Sequence, residues 1–161
     1  MSRGLANHRL YLARLMLSAW ERDRAAQSVP AVTLDQAFAP GVREHLIVAY
    51  GHFLNHVLDP TGSVTADPVP RCCDELPPQI AGKALPGEIR EFRQLEQAGW
   101  LAQLLAPLPT PGPRAAQGRQ PQGALAVSST AADWPQPEEA EAWCQRLQSI
   151  FQRMDDSLDE C

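Results

Sequence analysis

The sequence predicts an all-α protein, a four-helix bundle interrupted by two long connections. Three observations lead there. Between Leu5 and Ala26, taken at about 100° per residue, Leu10, Leu12, Ala13, Leu15, Met16, Leu17, Ala19 and Trp20 sweep more than half the helix circumference. Only Asn7, Arg14, Ser18 and Glu21 form a narrow polar ridge. An ordinary surface helix shows an apolar stripe a little over ~100° wide, so this helix needs several neighbours, or one neighbour and a second molecule, and the expectation is a bundle with this helix at its centre. Further stretches, at 40–58, 85–105 and 137–158, also repeat their apolar residues at spacings of three and four, the helical signature.

The first helix ends near Ser28, ahead of Pro30. Thr33 and Gln36 have the spacing of a capping box, with a short turn opening at Leu34. Ala39-Pro40-Gly41 then interrupts the helical pattern, because proline suits a first helical turn and is costly inside a helix. The second helix is therefore expected over about 40–58, its core face made by Val42, Leu46, Ala49, Tyr50, Phe53 and Val57. Residues 60–85 form a long Pro-rich connection with one turn near Cys73–Leu76. A third helix starts at Pro86 and uses Ile89, Phe92 and Leu95. Gly99 marks a kink, beyond which Trp100, Leu101, Leu104 and Leu105 make a separate patch.

Residues 107–133 are rich in Pro, Gly, Gln and Ala and cannot bury enough surface to offset their ordering entropy, which predicts a flexible linker inside a single 1–161 domain. Its apolar island, Leu125-Ala126-Val127, is expected to dock, if at all, as a short extended segment. The last helix opens at Pro137 with Glu138, Glu139 and Glu141 set against the helix dipole. Trp143, Leu147, Ile150, Phe151, Met154 and Leu158 form its core stripe. Leu12, Met16, Leu46, Phe53, Leu147 and Ile150 are expected to share one core.

Charge narrows the function classes. Net charge is −5, but the first 29 residues carry five Arg against Glu21 and Asp23, whereas 138–161 carry seven acids against Arg146 and Arg153. Arginines scattered round one helix, with an acidic C-terminal stretch, do not make the basic stripe that nucleic acid requires. No run approaches the ~20 apolar residues of a membrane span, and Arg9 and Arg14 break any leader-like stretch. A cytoplasmic protein with neither a nucleic-acid nor a membrane partner is expected. The basic residues are 13 Arg and Lys83 alone, the codon usage of a GC-rich bacterial genome.

The chemistry-bearing residues are few. His45, His52 and His56 lie on one stripe of the second helix, and His52/His56 has the i, i+4 spacing that chelates metal. A working metal site needs a further ligand, usually a carboxylate on a facing helix, and no Glu-x-x-His occurs. Boundary histidines, each burying one ring edge, are the expected role. Arg3 and His8 match the Arg-x4-His spacing of certain helical ribonucleases, a pattern short enough to arise by chance. Cys72, Cys73, Cys144 and Cys161 show neither Cys-x-x-Cys nor a disulfide framework, so free thiols are expected. Trp20, Trp100 and Trp143 are core anchors. Trp134, beside Pro135, is either a clamp on the bundle or a partner contact.

Four segments taken in order carry a resemblance: Asn7–Leu15 with Trp20; Arg43-Glu44-His45-Leu46 with Ala49-Tyr50 and Phe53-Leu54; Leu95-Glu96 with Trp100-Leu101 and Leu104-Leu105; and Leu158–Cys161. Together they resemble a family of small gammaproteobacterial proteins, common in pseudomonads, known only as a domain of unknown function. The resemblance spans nearly the whole chain outside the low-complexity stretch and implies a cytoplasmic all-α protein, with no activity to transfer. Pro40-Gly41 departs from the unbroken second helix expected of it. The excess apolar surface of the first helix, with no catalytic motif, predicts a non-enzymatic helical module that binds a protein partner or itself and needs no cofactor. The alternative is a metal- or small-molecule-binding bundle using His45, His52 and His56.

Overall fold

A computed structural model describes residues 2–61, 68–78, 84–112 and 133–159. The expected island at Leu125–Val127, the centre of the linker and Cys161 lie outside them. Among these residues five α-helices occur in order: α1 (Ser2–Ala26), α2 (Ala31–Leu58), α3 (Gly87–Ala98), α4 (Trp100–Leu105) and α5 (Pro137–Asp159). A 3-10 turn, Cys73–Glu75, sits in the connection before α3. No strand occurs among the described residues.

Side-chain pairings give the topology. Arg24 lies 3.7 Å from Asp35 and Arg9 lies 3.2 Å from His45, so α1 and α2 run antiparallel. Tyr50 and Phe53 of α2 both meet Phe92 of α3 edge-on, and Arg43 bonds to the end of α4; α3 and α4 therefore run back along α2. Arg3 pairs with Asp155 and Arg24 with Glu138, which sets α5 antiparallel to α1. The result is an up-down-up-down bundle whose third member is broken in two.

The break is at Gly99. Its backbone is extended (φ −108°, ψ −166°), its N–H donates to the Leu95 carbonyl at 3.0 Å, and a β-carbon there would lie 2.9 Å from the Leu95 Cα. The chain turns back on itself too tightly for a side chain. Arg43 then serves the end of α4, donating to the carbonyls of Leu104 and Leu105 at 2.9 Å each. Those carbonyls have no helical donor of their own.

Three expectations need correction. First, α2 starts at Ala31, not near residue 40, and runs straight through Pro40. Proline in a helix interior costs about 3 kcal/mol. Here Ala39 and Val42 on either side are fully buried, and Gly41 lets Met16 of α1 approach so closely that a β-carbon would lie 2.4 Å from its Cε. Tertiary packing of the flanking turns outweighs the propensity. Second, Pro30 precedes the helix and Thr33 falls within its first turn, so the Thr33–Gln36 capping box does not form.

Third, the central helix is α2, not α1. The buried residues of α2 run from Leu34 to Val57 and face every direction, toward α1, α3, α4 and α5. Those of α1 form one stripe, Ala6, Leu10, Ala13, Leu17 and Trp20. Leu12 and Met16 are consequently only half-buried, whereas Leu46, Phe53, Leu147 and Ile150 lie in the expected core. Phe53 and Phe151 stack with centroids 4.1 Å apart at its middle.

Candidate functional site

Because α1 fills the core with a single stripe, its remaining apolar residues are left outside. Leu5, Tyr11 and Leu15 are 45%, 57% and 50% exposed, and Val29 and Val32 are exposed at the turn into α2. These five account for the exposed large hydrophobics among the described residues. Half-buried Leu12 and Ala19 join them into a continuous face on the side of α1 away from the core, with exposed His8, Ser18 and Arg22 between them. Isolated apolar residues on a surface are normal, whereas a strip of them along one helix calls for an explanation.

The polar interior is built to hold helices together. Trp20 Nε1 donates to Asp35 Oδ1 at 3.0 Å, fixing the turn between α1 and α2 from inside. Tyr50 Oη and the Cys73 backbone N–H both donate to Glu96 Oε1, at 2.7 and 2.9 Å. One carboxylate thereby ties α2, α3 and the long connection. The connection crosses α2 at Gly51, where a β-carbon would sit 2.0 Å from the Pro70 carbonyl oxygen. Burial raises the Tyr50 hydroxyl far above its ordinary value and pushes the Cys73 thiol up to about 12. Burial likewise raises Cys144, to about 11. Neither thiol supplies a nucleophile at neutral pH. Cys72, Cys73 and Cys144 are all free.

The three histidines do not converge. His45 Nδ1 faces Arg9 Nη1 at 3.2 Å, and His56 Nε2 lies 3.4 Å from Asp155 Oδ1. Burial, and then the Arg9 charge, hold both His45 and His52 below the ordinary histidine value. A guanidinium beside two candidate ligands also opposes a divalent cation there. No group of three His, Cys, Asp or Glu side chains among the described residues is placed to hold a metal ion. Arg3 is committed to Asp155 at 2.9 Å while His8 is exposed on the outer face, so the Arg-x4-His pair has no common target.

Several clefts border the described bundle, and two of them bear on the candidate residues. A polar one of about 280 Å³ is lined by Arg3, Asn7, Gln148, Gln152, Asp155 and Asp156. A more apolar one of about 510 Å³ lies between Pro107–Pro109 and Pro135, over Trp143. Neither brings a nucleophile to a general base. Trp20 and Trp143 are buried as expected, Trp100 lies 5.9 Å under the Arg146 guanidinium, and half-buried Trp134 packs against the core. Trp134 is thus a clamp on the bundle. Reasoning from sequence missed Arg9, Arg43, Glu96 and Asp155, whose roles depend on which helices become neighbours.

A family model described as a family of unknown function, DUF6586, matches residues 1–161, so the chain belongs to that family. No curated protein matches it. No solved structure matches it either.

Proposed function

We propose that this DUF6586 protein is a non-enzymatic helical module that binds another protein chain through the outer face of α1. One observation carries the reading: among the described residues the exposed large hydrophobics gather on α1, the turn after it and the start of α2. Burying apolar area yields about 25 cal/mol per Å², and this strip is where the protein retains such area to offer. Elsewhere among the described residues no large hydrophobic side chain is exposed, and the Arg71–Glu44 and Arg153–Glu91 ion pairs lie on the surface. No helix among the described residues is long and apolar enough to cross a membrane. The setting that fits these features is the cytoplasm of a bacterium, gammaproteobacterial by the resemblance of its motifs.

Site-specific photo-crosslinking tests this reading. A photoreactive residue replaces Leu15 on the outer face or exposed Gln145 on α5, in cells producing the chain. A discrete protein adduct from position 15 and none from 145 is the expected result. Equal or absent crosslinking at both sites would overturn the reading.

A further inference from the structure

We infer that the chain seated on α1 is a second copy of this one, packed antiparallel about a two-fold axis near Leu17. The inference rests on the outer face of α1 being an interaction surface, and it goes further by naming the occupant and its register.

α1 carries two apolar stripes. The inner one, Ala6, Leu10, Ala13, Leu17 and Trp20, alternates steps of four and three and is filled by α2 and α5. The outer one runs Leu5, His8, Leu12, Leu15, Ala19, Arg22 and Ala26, alternating steps of three and four, and Val29 is exposed in the turn just beyond the helix end. That is the a/d period by which one helix packs on another. The large residues lie in the first half, at Leu5, Leu12 and Leu15, and the small ones in the second, at Ala19 and Ala26.

Charge and size together select the direction. A parallel copy would stack Arg22 on the partner's Arg22 and His8 on the partner's His8, leaving Ala19 against the partner's Ala19. An antiparallel copy sets Leu15 against the partner's Ala19, large meeting small at the centre, and brings Leu5 beside the exposed turn that follows the partner's α1. The methylenes of Arg22 then cover the partner's Leu12. The flank bordering α2 carries Arg9, Met16 and Asp23 at seven-residue intervals. In the antiparallel register Arg9 faces the partner's Asp23, and symmetry makes the pair twice. Asp23 keeps 40% of its side chain exposed, and among the described residues its ion pair is with the neighbouring Arg22. The 25 residues of α1 span about 37 Å at ~1.5 Å each. One helix pair of that length falls at the small end of protein interfaces, so association is concentration-dependent.

Sedimentation equilibrium of the full chain from about 1 to about 500 µM tests this. The expected result is a mass rising from that of one 17.7 kDa chain toward that of two. Leu15→Arg, and independently Tyr11→Glu, weaken association at least about tenfold with an unchanged circular dichroism spectrum. Asp23→Arg and Arg9→Asp each weaken it, and the double exchange restores it. A monomer throughout the range overturns the second copy as occupant, while the crosslink from position 15 still reports whether the face binds another protein. Association that is indifferent to both Leu15→Arg and Tyr11→Glu places the contact elsewhere and overturns the inference. A double exchange no better than the singles overturns the antiparallel register.

Discussion

Two leucines two residues apart on α1 separate what holds the fold from what faces outward. Leu17 is 2% exposed in the core stripe, and Leu15 is 50% exposed on the other side of the helix. Leu17→Ala removes buried methyls and leaves a cavity between α1 and α2. Such truncations cost about 2–5 kcal/mol. In a domain of about this size each kcal/mol lowers the melting temperature by about 2–4 °C, so a fall of roughly 4–20 °C is expected. Leu15→Ala removes the same atoms where half the side chain already meets water and no cavity closes behind it. Its cost is at most about 1 kcal/mol, from partial loss of contact with its helical neighbours. Melting should be followed by circular dichroism at the dilute end of the sedimentation range, so that self-association does not contribute. If Leu15→Ala lowered the melting temperature as much as Leu17→Ala, the outer stripe would be packed within the fold and not offered to a partner.

Three more outcomes concern the interior. Tyr50→Phe leaves Glu96 without the 2.7 Å phenol donor and is expected to cost about 1–3 kcal/mol, read as a lower melting temperature. Gly51→Ala drives a β-carbon against the Pro70 carbonyl. It should destabilise by about 1–3 kcal/mol and raise the reactivity of buried Cys73 toward a thiol reagent, because the connection that covers it must move. Lowering the pH below about 6.5 should reduce stability. His45 and His52 are held below the ordinary value in the fold, so the unfolded chain takes up those protons first as pH falls. The stability is fully present above about 6.5 and declines as pH drops toward the folded values. Melting temperatures at pH 7.5 and 5.5 should therefore differ less in a His45→Gln/His52→Gln double variant; an unchanged difference would contradict the assignment.

The bundle was legible because its core-facing residues follow the helical period. Val42 to Val57, and Trp143 to Met154, fall in the core where the spacing put them. The width of the apolar side of α1 was also legible, but its meaning was not. A wide apolar side fits both a helix surrounded by its own fold and a helix with one side kept for another chain, and local periodicity treats the two alike. The unbroken course of α2 was illegible for a similar reason. Pro40 carries a strong local signal, and what overrides it is packing between residues far apart, Met16 over Gly41 among them. The histidine stripe reads as one surface on a helical wheel, yet Arg9 from α1 and Asp155 from α5 divide it. Neither neighbour could be known before the helices were placed.

The tyrosines offer the most direct test, since the chain has only two. Tyr11 stands 57% exposed on the outer face of α1, and Tyr50 is completely buried. Hydroxyl-radical footprinting with mass-spectrometric readout compares their oxidation in the purified, dilute chain and in living cells. Tyr11 is expected to be oxidised readily in the dilute chain and protected several-fold in cells, while Tyr50 stays unmodified in both. Tyr11 oxidised equally in the two settings would mean that nothing covers α1, and the proposed role of that face would be wrong.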